Sequence, residues 1–215
     1  MANNQYIPAL RFHWLTNIYD WLISSFMPEK KFKSALLENA NIQVADLVLD
    51  FGIGTATLSI MAFEKMPAAL YTGIDIDEKI LTIAKNKIEA QKAMITLVKY
   101  NGSELPFADN TFHRVISSLV FHHLTSVQKV QAFSEIKRVL KPGGELHIAD
   151  WGKPSNFLMR GLFHLVQLLD GYKTTDDNIK GKLPELIKSS GLEVVQTNQN
   201  YNTLLGSIQL FSSKK

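Results

Sequence analysis

Apolar and polar positions along this chain follow two different periods, and the switches between them mark its elements. Short apolar runs bounded by turn residues stand at about 46–51, 70–76, 95–100, 115–120 and 145–150, and they read as strands. Stretches with an apolar residue every three or four positions lie between them, at about 55–66, 77–92 and 126–140, and read as helices. Ile80, Leu81, Ala84 and Ile88 form the stripe of the second helix; Val130, Phe133, Ile136, Val139 and Leu140 form that of the third. Pro67 closes the first helix, and Asp77 stands where the second needs an N-cap. Ahead of the first strand, 9–27 is helical and rich in aromatics, with Phe12, Trp14, Tyr19, Trp21 and Phe26. Pro28 separates it from a second helix at 29–40 carrying Phe32, Leu36 and Leu37. After the fifth strand come an apolar helix at 157–169, a polar loop at 170–177 and a helix at 181–190. Two last strands follow, at 192–197 and 204–212, joined by an Asn/Gln-rich hairpin. Strands and helices in alternation predict an α/β domain with a mostly parallel sheet and one reversed strand near an edge.

The junction after the first strand carries the densest chemistry. Asp50-Phe51-Gly52-Ile53-Gly54-Thr55-Ala56-Thr57 is a strand end, a glycine turn and a helix start in sequence. Two glycines one residue apart let the backbone turn sharply and let a ligand lie against it with no Cβ in the way. The N–H groups at the start of the helix then point at that ligand. Open α/β sheets bind ligands in this crevice, beyond the carboxyl ends of the strands. A dinucleotide fingerprint would carry Gly or Ala where Thr57 stands, and Asp50 would repel a pyrophosphate. A ligand with an ammonium group would be attracted instead. The same residues could also be only a turn.

Other candidates follow in strand order. Asp75 lies about 20 residues beyond the turn, the interval at which a carboxylate accepts hydrogen bonds from a ribose diol. Asp77 is read as a cap and not as a ligand contact. Asn101-Gly102 follows the third strand, where it is either a turn dipeptide or a binding loop. The fourth strand ends near Ser118, and Phe121-His122-His123-Leu124 follows. His122 or His123 could serve as a general base, or the pair could simply pack. Adjacent histidines point in different directions and no further ligands have matching spacing, so no metal site is expected.

Composition narrows the field. The chain has 215 residues, enough for one domain with a terminal extension. Its formal net charge of +3 is small and spread out, so a nucleic-acid partner is not expected. There is no cysteine, which excludes disulfides, thiolate metal sites and a thiol nucleophile. The first residues lack a signal pattern and no apolar run reaches the roughly 20 residues of a membrane span. A cytoplasmic location is the expectation, with peripheral membrane contact left open.

Four segments in order resemble the class I S-adenosylmethionine-dependent methyltransferases of the small-molecule type. They are Asp50-x-Gly52-x-Gly54-x-Ala56, with Ala in place of a third Gly; Asp75; Asn101-Gly102-Ser103-Glu104-Leu105-Pro106-Phe107; and Leu140-Lys141-Pro142-Gly143-Gly144. The resemblance covers about 45–150 well and both flanks more loosely. It implies a Rossmann-like seven-stranded sheet in the order 3-2-1-4-5-7-6, strand seven antiparallel, with helices on both faces. It also implies S-adenosylmethionine as cofactor, with Asp50, Gly52, Ile53, Gly54 and Thr55 near its methionine end, together with the Ser118 backbone. Asp75 would hold the ribose and Asn101, with the Gly102 backbone, the adenine; Ile76 is a further cofactor contact. Tyr19-Asp20 stands where many such enzymes have a Tyr-Asp pair, which makes Tyr19 a further cofactor contact. Asn101 replaces the family's Asp, and its carbonyl can still accept the adenine amino group's hydrogen bond. His113 replaces a second Asp at the start of strand four and is read as structural. The expected organisation is a single domain over 1–215: a helical lid at 1–44, a cofactor core at 45–150, and a substrate-side helix and last strands at 151–215. Similarity to quinone-biosynthesis and phospholipid methyltransferases, with the aromatic and apolar flanks, points to a small hydrophobic or aromatic acceptor. Two other readings are a non-catalytic module that binds the cofactor or its demethylated product, and a nicotinamide-dependent oxidoreductase.

Overall fold

The computed structural model describes residues 28–155, 159–161, 163–164, 167, 171–195, 199–203 and 206–215. Helix α1 (Glu29–Ala40) precedes strand β1 (Leu47–Phe51) and helix α2 (Thr57–Lys65). Then follow β2 (Leu70–Asp75), α3 (Glu78–Ala90), β3 (Ile95–Lys99) and β4 (Phe112–Ser118). A single 3₁₀ turn (Phe121–His123) leads to α4 (Ser126–Val139) and β5 (Leu140–Trp151). The chain ends with α5 (Tyr172–Ile179), α6 (Leu183–Ser189), β6 (Glu193–Val195), β7 (Asn200–Asn202) and β8 (Ser207–Lys214).

The strands form one sheet in the order β3-β2-β1-β4-β5-β8-β6, with β7 also paired to β8. β1 to β5 are parallel, and β8 runs antiparallel to β5, β6 and β7. This is the expected order with the last strand reversed. It has one more strand than the seven expected, because Thr203 and Gly206 bridge each other and fold 200–202 back along 207–209. Local polar composition at 196–203 gave no hint of that pairing.

Both faces of the sheet are buried, as a parallel sheet requires. Val48, Ile116, Ala149 and Leu210 pack with Phe32, Leu36 and Leu37 of α1 and Leu58 of α2. Leu49, Val115, Leu146 and Ile148 pack with Phe133 and Ile136 of α4 and Leu183 and Ile187 of α6 on the other side. Of the expected lid, α1 therefore lies on the sheet face, and 1–27 lie outside the described residues. On the α4 side Phe51 stacks on Phe121 at 5.5 Å, and Phe121 on Phe133 at 4.5 Å. A buried Phe contributes about 1.5–3 kcal/mol, so this column ties the end of β1 firmly to the turn after β4.

Caps and turns follow the local sequence closely. Asp77 accepts from the Lys79 and Ile80 N–H groups at 2.8 and 3.4 Å, as an N-cap should. Thr125 and Gln128 form a capping box for α4. His113 accepts the Leu47 N–H at 2.9 Å, which fixes the start of β1. Two expectations need correction. Strand five was expected only from about 145, after Lys141-Pro142-Gly143-Gly144, yet β5 runs through these four residues. The Lys215 backbone pairs with Gly143 and Gly144 at 3.0 Å each and continues the ladder there. The expected polar loop at 170–177 is largely helix α5, because its polar groups have partners inside the fold. Lys129, fully buried, donates to the Thr174 carbonyl at 2.6 Å and to Asp177 Oδ2 at 3.3 Å. Asn178 donates to the Trp151 carbonyl at 2.9 Å. Within the expected helix at 157–169 the described residues at 159–161, 163–164 and 167 are helical. Phe163 among them is buried edge-on against Trp151 at 5.2 Å.

Candidate active site

The carboxyl ends of β1, β2, β4 and β5 converge on one edge of the domain, and the glycine turn lies between them. Gly52, Gly54 and Ala56 all have left-handed backbones, at φ +74°, +54° and +63°. A Cβ at Gly52 would lie 2.4 Å from the Val120 side chain, so the turn rests directly on the segment after β4. A Cβ at Gly54 would meet nothing within 4 Å: this glycine borders open space. Ala56 takes the third left-handed position at a cost of about 1–2 kcal/mol that Gly would not incur. α2 begins immediately afterwards with no side-chain cap.

Asp75 ties the turn to β2. Its Oδ2 accepts the Gly54 N–H at 3.1 Å and its Oδ1 the Asp77 N–H at 3.0 Å. Each oxygen of an ionised carboxylate can accept more than one hydrogen bond, so both retain capacity for a diol. Ile76 beside it is 36% exposed and offers an apolar surface. Ile53 is buried, its side chain filling the space where a Cβ on Gly73 would sit 2.0 Å away. Its side chain is thus core, and only its backbone faces the turn. Thr55 is exposed, with its hydroxyl 3.4 Å from that of Thr57.

Asp50 points to the α1–α2 side of the sheet, 2% exposed, and accepts the Ser59 hydroxyl hydrogen bond at 2.7 Å. Burial pushes its carboxyl up to about 6, only partly offset by Ser59 and by the Lys33 charge on α1. Asn101 sits on the loop after β3, where its Oδ1 accepts from the Ser103 N–H, the Ser103 hydroxyl and the Glu104 N–H. The carbonyl that the resemblance offers to adenine thus already shapes its own loop. Gly102 beside it is left-handed at φ +84°. The following Leu105-Pro106-Phe107 is held by Arg138, which donates to the Phe107 and Leu105 carbonyls at 2.8 and 3.0 Å. Ser118 ends β4, and its Oγ is buried with no hydrogen-bond partner among the described residues. Tyr19 lies outside the described residues.

Sequence reasoning missed Asp150. It is fully buried at the end of β5 and sits within hydrogen-bond distance of His122 Nδ1, at 2.7 Å. The signal was available: like Asp50 and Asp75, it is an acidic residue ending an apolar strand. Among the described residues no group of three or more His, Asp or Glu could hold a metal.

Residues 48–144 match the methyltransferase-domain family. They are a class I S-adenosylmethionine-dependent methyltransferase domain. The curated relatives agree: the chain is 33% identical over 138 residues to a demethylmenaquinone methyltransferase of Symbiobacterium thermophilum, covering 62% of this chain and 54% of that protein. It is 33% identical over 148 residues to the enzyme of the same name from Listeria welshimeri, covering 67% and 62%. The chain thus spans little more than half to three-fifths of those relatives' length. Its methyltransferase fold recurs in a solved S-adenosylmethionine-dependent methyltransferase from Methanosarcina mazei, with a TM-score of 0.68 at 19% identity, covering 84% and 96%.

The methyltransferase cofactor, S-adenosylmethionine, fits the residues present. It brings a diol, a positively charged amino-acid end and a sulfonium. The half-buried Asp75 carboxylate, the open cradle at Gly54 and the buried Asp50 carboxyl offer matching groups.

Proposed function

We propose that this methyltransferase moves a methyl group from S-adenosylmethionine to a small hydrophobic acceptor with a hydroxylated aromatic ring, of the quinol kind. One observation carries the cofactor half: Asp75 accepts the Gly54 N–H while Gly54 borders open space, which supports a diol held against the turn. The names of the curated relatives support the acceptor half. In this reading Asp75 binds the ribose hydroxyls, with Ile76 packing on the adenine. Asn101 and Gly102 close the adenine side through the backbone of their loop. The Gly52, Ile53, Gly54 and Thr55 backbone admits the methionine end, with Asp50 near its ammonium and Ser118 alongside. Tyr19 adds a contact from the N-terminal segment.

S-adenosylmethionine, when bound, supplies a methyl already activated by its positive sulfur for direct displacement. The protein's contribution is then alignment and exclusion of water. We infer a single domain over 1–215, with α1 packed on the sheet face and 151–215 completing the acceptor side. We place it in the cytoplasm, where a hydrophobic acceptor favours peripheral contact with a membrane. Among the described residues no helix is long and apolar enough to cross one.

The test has two steps. S-adenosylhomocysteine at millimolar concentration should raise the melting temperature; no shift ends the reading. Labelled S-adenosylmethionine with a short-chain prenylated 1,4-naphthoquinol should then give a methylated product by mass spectrometry. Binding without any product would leave the cofactor site and remove the acceptor.

A further inference from the structure

Three polar side chains of α4 hold the loop that follows β3. Gln131, Glu135 and Arg138 are spaced to share one face of the helix. Gln131 Nε2 donates to the Ser103 carbonyl at 3.3 Å. Glu135 Oε2 accepts the Leu105 N–H at 2.8 Å. Arg138 Nη2 donates to the Leu105 carbonyl at 3.0 Å, and its Nη1 donates to the Phe107 carbonyl and to Asp109 Oδ1 at 2.8 Å each. Its Nε and Nη2 donate to Glu135 Oε1 and Oε2 at 2.9 and 2.8 Å.

A guanidinium has five N–H donors, and all five are committed here. An ion pair between neighbours on a helix surface needs only those to Glu135. The other three leave the helix for the loop, and two of them go to uncharged backbone carbonyls. Glu135 stays ionised beside them, its carboxyl held below the usual range chiefly by the Arg138 hydrogen bonds.

The loop has no regular structure of its own: residues 100–111 contain neither helix nor strand. It starts beside the carboxylate assigned to the ribose, because the Tyr100 N–H donates to the Asp75 carbonyl at 2.9 Å. The Tyr100 ring stands edge-on to Phe51 at 5.8 Å, which fixes that end. Gly102 is exposed, and a Cβ added there would meet nothing within 4 Å, so this backbone borders open space as Gly54 does. The far end, Leu105 to Phe107, takes its position from Glu135 and Arg138. Groups that read a ligand must be held within about 0.5 Å of their working geometry.

We propose that Arg138 is a positioning residue for the nucleobase: with Glu135 it clamps the 101–107 backbone in the register that reads adenine and rejects hypoxanthine. This rests on the methyltransferase reading above, which gives the loop to adenine. The edge of adenine offers a donor at N6 and an acceptor at N1. Hypoxanthine offers an acceptor at O6 and a donor at N1. A loop held in one register matches one pattern and leaves the other unpaired. Lysine cannot replace Arg138, since an ammonium has three donors and no planar fork.

The test is calorimetry of the whole chain with S-adenosylhomocysteine and with S-inosylhomocysteine, the same molecule carrying hypoxanthine. Wild type should bind the adenosyl compound on the order of 10²-fold more tightly, since the mismatch leaves polar groups unpaired. Arg138→Lys should bind it about tenfold more weakly and cut that ratio below about fivefold. Asp75→Ala should weaken both compounds alike, because they share the ribose. A folded Arg138→Lys that keeps the wild-type ratio overturns the proposal even if its melting temperature drops, because a role in stability alone leaves the ratio unchanged. A ratio that falls equally in Asp75→Ala overturns it too. If Arg138→Lys does not fold, Glu135→Gln decides by the same ratio, which should fall. Wild type that binds both compounds alike overturns the clamp alone; wild type that binds neither sinks the function reading and the clamp with it.

Discussion

Asp50 and Asp150 are a natural experiment within one sheet. Both end apolar strands, both are essentially inaccessible to solvent, and they stand on strands separated only by β4. Burial pushes Asp50 up to about 6, whereas Asp150 is held below the usual carboxylate range. The difference lies in the donors. Asp50 has one hydroxyl hydrogen bond, from Ser59; Asp150 has four backbone N–H groups and an imidazole. Depth in the protein does not fix charge; the supply of hydrogen-bond donors and counter-charge does. An under-supplied carboxylate is the one with reason to attract a cation from outside. A saturated one is suited to organising its neighbours.

Removing the saturated carboxylate should have the largest effect. Asp150→Ala leaves four N–H groups in the interior without their acceptor and takes a partner from His122, and should lower unfolding free energy by about 3–5 kcal/mol. Chemical denaturation would measure it; a loss under 1 kcal/mol would mean the donors find other partners and the contrast fails.

Asp50→Asn should act in the opposite direction on stability. The folded carboxyl near 6 lies above its ordinary 3.8. Below about pH 4 the group is protonated in both states and imposes no cost. As pH rises towards 6 the unfolded chain ionises first, so stability falls, and above 6 the loss is complete. Asp50→Asn should therefore gain on the order of 1–3 kcal/mol at pH 8 and nothing near pH 4. The same variant should bind S-adenosylhomocysteine more weakly at pH 8. Wild-type affinity should fall as pH drops through 6, and that dependence should vanish in the variant. Calorimetry at pH 5 and 8 separates the two effects.

Asp75 is half-buried and has spare acceptor capacity. Asp75→Ala should weaken S-adenosylhomocysteine binding at least tenfold, about 1.5–3 kcal/mol for a lost charge-assisted hydrogen bond. Unchanged calorimetric affinity would remove its ribose role. The smallest effect is expected at Ala56→Gly. Relief of the left-handed strain, partly offset by the freer unfolded chain, should raise stability by less than about 1 kcal/mol. A loss of stability would mean the buried methyl matters more than the backbone.

The parts legible in the sequence were those set within a few residues. Asp77 capping α3, the glycine turn and the order of strands and helices depend on local periodicity and backbone freedom. Asn101 was legible as a loop residue, but the use of its Oδ1 by Ser103 and Glu104 was not, because turn geometry and ligand geometry need the same residue type. Helix α5 was misread as loop because Thr174 and Asp177 are polar. Their partner Lys129 comes from α4, more than forty positions away in the chain. Strand β7 was missed because an Asn-rich segment has no apolar alternation, and only the edge of β8 recruits it.

The sequence alone determined an α/β methyltransferase domain, its glycine turn and the acidic residues at its strand ends, since each is written in neighbouring side chains. Only the tertiary structure decided which carboxylate is starved of donors and which is saturated. Three of the four backbone donors to Asp150 come from Val120, Phe121 and His122, almost thirty positions earlier. They meet it only because β4 and β5 lie side by side, and no local pattern encodes that adjacency.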